Sequence, residues 1–525
     1  MSKNPLHFFR GDFCRRLPGR RYLDREDRPR RRFARVFSLL TLILGGAYLI
    51  WLGALVLGNQ DGHGYLFWGA EAMVFLLLAL LAFDLWRVRS HRPEGLEIDT
   101  PRPVDIFVPC CGEPLEVIRT TLRAVSRIAY QPVTVYVLDD AGSPPVAALA
   151  ESLGFHYCSR PLAGLSRQDS KSGNLNFGLA RSQGELILVL DADQVPAPDI
   201  LSRLVGFFRL TRVGFVASRQ TFCLPEGDPF YNRDEIFYGA IQPANDQANT
   251  VMSCGSGVVY RRRALVEMGG FPTWNIVEDF ATSYELVSHG WQGIYFPYAL
   301  SRGLAPLTLP GVYRQRFQWC LDTMRLFFWD NPLIKRGLTW NQKLHFLLIM
   351  VSYLVSGLVF PVFYFIPLLS YWRGYSIFQG QEGSYLAWRL AYLLAMIFMF
   401  HYLFRGKEPF KQFKVLCGLF LVYAAAVFAA LLYPPGRKPR YHVNNSQIFS
   451  ESRCWWGLAP QLFVILLHFV LPFHSLSLGW APPKLIFFNA FFSGFIIYVL
   501  TDLVLAGLRR PRWRLARDPR QIYGF

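Results

Sequence analysis

Two kinds of hydrophobic pattern alternate along the chain. Apolar runs at 36–58, 65–86, 346–370, 385–404, 455–473 and 484–507 are each long enough to cross the ~30 Å hydrocarbon core of a bilayer as a helix. Between the second and third of these, over about 103–305, the apolar residues fall into short β-rich runs at 104–108, 133–138, 185–190 and 214–217, separated by helical stretches. An α/β domain inserted between membrane helices is therefore predicted, with six spans in all. A further apolar run, 413–433, has basic residues on both flanks, and a seventh crossing would carry the Arg-rich C-terminus to the opposite side. That run is predicted to lie in the interface or to re-enter. The expected division is a basic N-terminus at 1–35, two membrane helices within 36–92 and an α/β domain at 100–335 that ends in an interfacial helix. A membrane region at 336–508 with a loop at 434–450 follows, and then a basic tail at 509–525.

A content of 52% hydrophobic and 16% aromatic residues excludes a single soluble domain and agrees with this division. The net charge of +18 changes the picture only at first sight. Its clusters at 28–35, 87–92, 405–414, 436–440 and 509–517 sit beside apolar runs, so a positive-inside bias accounts for them and no nucleic-acid partner is expected. The loops 59–64, 372–384 and 474–483 carry one Arg between them, Arg373, and belong outside. Both termini and the α/β domain are then cytosolic, in a bacterial-type inner or plasma membrane. The first apolar run starts after 35 residues and has no small-residue cleavage site, which predicts a retained anchor. Nine cysteines without CxxC pairs or metal spacing predict reduced thiols.

The chemistry is expected at strand ends, because an open α/β sheet binds its ligand outside the carboxyl ends of its strands. Asp191 and Asp193 follow the apolar run Leu186-Ile187-Leu188-Val189-Leu190; two carboxylates one residue apart suit a hard divalent cation that completes its shell with substrate phosphates. Alone, such a pair is more often a solvated turn. Asp139 and Asp140 end Val135-Tyr136-Val137-Leu138 in the same manner, where a carboxylate meets a nucleotide base or ribose or else caps the next helix. Two acidic strand ends on one sheet favour a shared site. Lys171 precedes Ser172-Gly173-Asn174 and suits diphosphate contact, with an ordinary capping turn on Ser172 or Asn174 equally open. Glu278 and Asp279 precede a helix, where one of them can act as a general base or both can favour the helix N-terminus. At about 100° per residue, Gln315, Gln318, Trp319 and Asp322 fall opposite Phe317, Leu321, Met324 and Phe328. An amphipathic helix on the membrane plane is predicted, its Gln and Trp turned toward the α/β domain, with Trp319 placed to stack on a sugar ring or to anchor in the interface. No GxGxxG appears, so a dinucleotide fold has no fingerprint here.

In order and spacing these residues resemble the D, DxD, D, QxxRW pattern of membrane-embedded family 2 glycosyltransferases, bacterial cellulose synthase among them. The shared stretches include Tyr136-Val137-Leu138-Asp139-Asp140, Lys171-Ser172-Gly173-Asn174-Leu175-Asn176, Leu190-Asp191-Ala192-Asp193, Cys254-Gly255-Ser256 and Val277-Glu278-Asp279. The resemblance implies a GT-A fold, a UDP-sugar donor, Mg²⁺ or Mn²⁺ at Asp191 and Asp193, and inversion to a β-linkage with Asp279 as general base. It also implies that Asp139, Asp140, Lys171, Gln315, Arg316 and Gln318 serve the substrates, and that Cys254, Gly255 and Trp319 line the acceptor site.

Three departures stand out. Gln318 holds the position where the family has an Arg that meets the leaving diphosphate, and Arg316, Arg325, Lys438 and Arg440 are the candidates to replace its charge. The gating-loop motif is reduced to Tyr441-His442-Val443-Asn444-Asn445-Ser446. The chain stops soon after its last apolar run, so regulation by a C-terminal cyclic-di-GMP-binding domain is not expected. The function these features imply is processive transfer of glucose from UDP-glucose to a β-glucan, exported through the membrane helices with or without accessory export subunits. The alternative is a non-processive transferase with a membrane lipid as acceptor.

Overall fold

A computed structural model describes residues 16–59, 62–224, 227–275, 278–378, 380–439 and 455–509. The gating-like 441–446 stretch, Arg440 and the basic tail beyond Arg509 lie outside them. A short antiparallel ribbon, β1 (Arg20–Tyr22) with β2 (His91–Pro93), ties the start of the described chain to the segment that follows the first two long helices.

The middle of the chain builds one sheet from β3 (Val104–Cys110), β4 (Val133–Asp139), β5 (His156–Cys158), β6 (Leu186–Val189), β7 (Val195–Pro196), β8 (Val213–Cys223), β9 (Val258–Arg261) and β10 (Gln292–Leu304). Their order is β5-β4-β3-β6-β9-β8-β10-β7. Strands β5, β4, β3 and β6 are parallel; β9 runs antiparallel to both β6 and β8, and β7 antiparallel to β10. Every residue of β3 and β6 is buried, as expected where helices cover both faces of a parallel sheet. The pleat sends alternate side chains to opposite cores. Val104, Ile106 and Val108 join Leu186 and Leu188 on one face, while Phe107, Ile187 and Val189 join Leu175, Leu286 and Phe346 on the other. Each fully buried aliphatic contributes about 1.5–3 kcal/mol, so these runs fix which face each strand end presents. The carboxyl ends of β3, β4 and β6 therefore lie side by side along one edge.

Among the described residues six helices are long and apolar enough to cross a membrane: Asp27–Asn59, Gly62–Leu85, Trp340–Arg373, Glu382–Leu403, Trp456–Leu478 and Pro483–Leu508. The first begins further upstream than its apolar run, in a helix of 36 residues from Asp24 that accommodates Pro29. Run 413–433 is a pair of helices, Pro409–Gly418 and Phe420–Leu432, bent by 64° at their junction. Within the bundle the Arg389 guanidinium donates to Glu71 Oε2 at 2.7 Å, joining two spans through an ion pair that neither helix would tolerate unpaired in an apolar medium. Gly357 lies in a wide helical turn where a Cβ would come within 2.8 Å of the backbone of Tyr423 and Ala424, so its missing side chain lets the bent pair pack closely.

The helix Leu309–Trp329, expected on the membrane plane, is buried on both faces instead. Cys320, Leu321 and Met324 pack with Tyr423, Ala426 and Val427 of the bent pair, while Leu326 joins the sheet-side core. Trp329 Nε1 donates to Ala430 O at 2.9 Å. A 3.6-residue apolar stripe is satisfied by a neighbouring helix as well as by lipid, and here the neighbour is a helix.

Candidate functional site

Lys171 organises the site. Its Nζ lies 2.6 Å from Asp191 Oδ1, 3.1 Å from Glu278 Oε1 and 3.1 Å from Gly255 O. Lys171, on the helix Ser170–Leu179, meets partners from three further elements: the turn after β6, the loop before β9 and the helix Glu278–Ser288. Asp279 stands beside them. Gly255 has φ +78° and a Cβ there would fall 3.1 Å from both Asp279 Oδ2 and Lys171 Nζ, so only glycine lets this loop close over the pair. The loop is held from below, where Gln220 Nε2 of β8 donates to Cys254 O at 2.7 Å and Ser256 O at 3.0 Å. Ser256 Oγ in turn accepts from Asp191 N at 2.9 Å.

Two carboxylates therefore share one ammonium, with a third, Asp279, beside them. The consequence appears at Asp279, whose acid is pushed up to about 8 by burial, with the charge of Glu278 adding to it and Lys171 opposing it. Burial works against the charge of Lys171, but Asp191 and Glu278 outweigh it and hold the ammonium well above its ordinary range. Glu113, at the end of β3, is raised as well, first by burial and further by Asp191 and Asp139. It accepts from Cys111 N at 2.6 Å and faces both acidic strand ends. Sequence reasoning missed Glu113 as a site residue although it stands just past a strand end, the position that marked the others.

The other acidic strand end is closed. Asp139 accepts from Ala141 N, Ser143 N and Tyr157 Oη, each at 2.8 Å, and so caps its own turn. Asp140 is bidentate with Arg160, Nε to Oδ1 at 2.8 Å and Nη2 to Oδ2 at 2.5 Å. Arg160 extends the contact by donating to Gln168 O and Ser170 O at 2.5 and 2.9 Å, which positions the turn that presents Lys171. Gly173 is required there, since a Cβ would lie 2.3 Å from Gln168 O and 2.5 Å from Arg160 Nη1. Ser172 and Asn174 are not caps. Both are inside the helix, and Asn174 Nδ2 donates to Leu138 O at 2.7 Å; the N-cap is Asp169, with left-handed φ of 67°. Lys438 is ion-paired to that same Asp169.

The candidate replacements for a cation at Gln318 are engaged elsewhere. Arg316 faces Asp234 at 3.6 Å and lies over the Trp319 ring at 4.7 Å. Arg325, fully buried, donates to Tyr433 O at 2.8 Å and to Asn275 Oδ1 at 3.2 Å. Gln318 itself is buried with its Nε2 lacking a hydrogen-bond partner among the described residues. Gln315 and Trp319 are half-buried on the same helix. Cys254 is half-buried next to Gly255, its thiol raised first by burial and then by the charge of Asp279.

As cation ligands, Asp191 and Asp193 differ. Asp191 is 34% exposed, whereas Asp193 is buried with Oδ2 accepting from Leu304 N at 3.1 Å. Among the described residues no group of three or more His, Cys, Asp or Glu is arranged to enclose a metal ion. The surplus of carboxylate over ammonium nevertheless suits one hard divalent cation, with the remaining ligands from a diphosphate.

Residues 101–321 match the family described as Glycosyltransferase like family 2. The chain is 30% identical over 388 residues to Cellulose synthase 1 of Komagataeibacter xylinus, covering 70% of this chain and 24% of that protein. It is 32% identical over 300 residues to the UDP-forming cellulose synthase catalytic subunit of Xanthomonas axonopodis pv. citri, covering 54% of this chain and 40% of that one. The chain thus spans about a quarter to two fifths of the length of these relatives. A solved mannosyltransferase from Pyrobaculum calidifontis is 18% identical, with a TM-score of 0.45 over 75% of this chain and 99% of that chain. The 101–321 region matches a family 2 glycosyltransferase domain, set between helices of membrane-spanning length and homologous to bacterial cellulose synthase catalytic subunits.

Proposed function

We propose that this chain is a membrane-embedded, inverting β-glycosyltransferase that moves glucose from UDP-glucose to a growing β-glucan and passes the polymer through its own membrane helices. The observation that carries the reading is the cluster of Asp279, Glu278 and Asp191 around Lys171, at the strand ends of a family 2 domain whose relatives are named as UDP-forming cellulose synthases. Positive-inside bias supports a cytosolic catalytic domain and cytosolic termini, with 100–335 as the catalytic unit and the flanking helices as the membrane region.

Asp279 accepts the proton of the acceptor hydroxyl as that oxygen attacks the anomeric carbon. The bond from this carbon to the diphosphate oxygen breaks, the configuration inverts, and UDP leaves with the bonding pair. Lys171 holds Asp191 and Glu278 in place and offers positive charge beside the leaving group. Asp191 and Asp193 are the residues to hold Mg²⁺ or Mn²⁺, which when bound would supply Lewis-acid neutralisation of the diphosphate. Asp139 and Asp140 set the floor for the nucleotide, and Cys254, Gly255, Gln315 and Trp319 frame the acceptor.

Gln318 in the position of the family Arg supports a second reading, transfer to a membrane lipid. Incubating the purified chain with Mg²⁺ and a panel of UDP-sugars, and reading UDP release with product size, decides between them. UDP-glucose turnover with a long glucan supports the first reading, and a single sugar on lipid supports the second. Absence of UDP release with every donor overturns both.

A further inference from the structure

Away from the carboxylate cluster, a cavity of about 400 Å³ opens where three membrane-length helices reach the α/β domain. Its walls gather cations from regions far apart in sequence. Arg30, Arg31 and Arg35 come from the first long helix, and Arg89 follows the second. Arg219 projects from β8, while Arg405 and Lys407 follow the helix Glu382–Leu403. Among the described residues, Asp27 and Glu235 are the only carboxylates lining it. Asp27 is already taken by Arg31 at 3.3 Å, and Glu235 by Arg219 at 2.6 Å. Arg30 and Arg35 donate to the carbonyls of Tyr402 and Trp86, at 2.9 and 3.0 Å, and Arg30 also faces Asp27 at 3.9 Å.

Three features mark this as more than the usual basic rim of a membrane protein. Arg89 and Arg405 pair with no acid among the described residues. Arg219 Nε is buried without a hydrogen-bond partner among the described residues. Lys407 is lowered from its ordinary value, first by burial and then by the charge of Arg30, with Glu235 opposing. Rigid, forked guanidinium donors around one concavity match a tetrahedral oxyanion. Phe33, Val36 and Leu39 of the first helix are exposed beside it and offer an apolar track for acyl chains.

We propose that this cavity binds a phosphate-bearing anion, with the headgroup of an anionic glycerophospholipid as the occupant that its place at the membrane boundary favours. None of its lining residues belongs to the carboxylate cluster. Full-length protein in micelles containing phosphatidylglycerol or phosphatidylcholine, examined by native mass spectrometry, should retain phosphatidylglycerol selectively. The double variant Arg89→Glu/Arg405→Glu should bind it at least about tenfold more weakly, as charge-assisted contacts are lost. Arg89→Lys/Arg405→Lys should keep most of the binding. A control, Arg87→Glu/Lys411→Glu, makes the same charge change outside the cavity. A parallel thermal-shift titration in phosphatidylcholine with inorganic phosphate separates the sources: stabilisation by phosphate alone, lost in the first double variant, assigns the site to a soluble phosphate compound. No selectivity for either probe, or equal loss in the control and the cavity variant, overturns the proposal.

Discussion

Asp140 and Asp191 stand at the carboxyl ends of two strands of one sheet, separated by a single strand and so by roughly 10 Å, yet they are in opposite chemical states. Asp140 meets a full guanidinium fork, with both side chains only 5% exposed. Asp191 is 34% exposed and shares one ammonium with Glu278, beside a third carboxylate. The difference lies in what surrounds each acid, since residue type and strand-end position are the same. A satisfied pair is fixed and serves as scaffold. An undercompensated one stores a demand for positive charge that substrate and cation can meet, and it keeps a neighbouring acid near neutrality of charge until they do.

The sharpest break of this comparison is Asp279→Asn, which keeps the shape of the open cluster and removes its base. Turnover should fall by about 10²–10⁴-fold while UDP-glucose binding, followed by calorimetry, stays within a fewfold. A collapse of donor affinity with near-normal residual turnover would move the base elsewhere. The next largest effect belongs to the closed end. Arg160→Ala leaves Asp140 buried and unpaired, and should cost about 3–5 kcal/mol of stability, read as an earlier denaturant midpoint. If Asp140 is scaffold, the folded fraction of that variant keeps the pH profile of the parent.

That profile is the third test. The Asp279 acid is raised from an ordinary 3.8 to about 8, so below that pH the residue is protonated and cannot accept a proton. kcat/KM should climb about tenfold per pH unit on the acid side and level off above about 8, whereas Asp279→Asn should show no such limb. Stability runs the other way. The folded chain keeps this proton while the unfolded chain releases it near 3.8, so the contribution of Asp279 to stability is lost as pH rises between the two values. A flat kcat/KM from pH 5 to 9 in a folded sample would remove Asp279 from the reaction.

Much of this was legible before the fold was known, because strand ends announce themselves locally. An apolar run such as Leu186-Ile187-Leu188-Val189-Leu190 that stops at Asp191 predicts both the strand and the edge where the acid appears. Partner choice was not legible. Lys171 beside Gly173 reads as an anion contact, but the sheet delivers Asp191 and Glu278 to its ammonium, and nothing local to Arg160 marks it as the mate of Asp140. The helix Leu309–Trp329 shows the same limit, since its stripe specifies an apolar neighbour and leaves open whether that is lipid or Phe420–Leu432. Basic stretches at 28–35, 87–92 and 405–414 each obey the positive-inside bias, and only folding brings Arg30, Arg89 and Arg405 to one cavity.

The smallest effect is expected at Gln318, which stands where the resemblance expects an Arg. Arg316 and Arg325 are held by Asp234 and by the carbonyl of Tyr433, and Lys438 by Asp169, so none of them is placed to substitute for it. Gln318 Nε2 is buried without a partner among the described residues, and one turn further along the helix Asp322 offers a carboxylate that faces Arg325 at 3.6 Å. An arginine at 318 would find that carboxylate at i,i+4 spacing and carry its charge on the same helical face, so Gln318→Arg should fold with a Tm within a few degrees of the parent. Turnover with UDP-glucose should hold or rise by no more than about tenfold, the scale of one added charge-assisted contact to the departing diphosphate. Arg316→Ala, by contrast, should lower stability through loss of Asp234 and Trp319 and leave donor affinity unchanged. If Gln318→Arg folds and binds UDP-glucose but is inactive, the neutral amide is a direct contact to the acceptor, and a lipid rather than a glucan chain is what that contact selects.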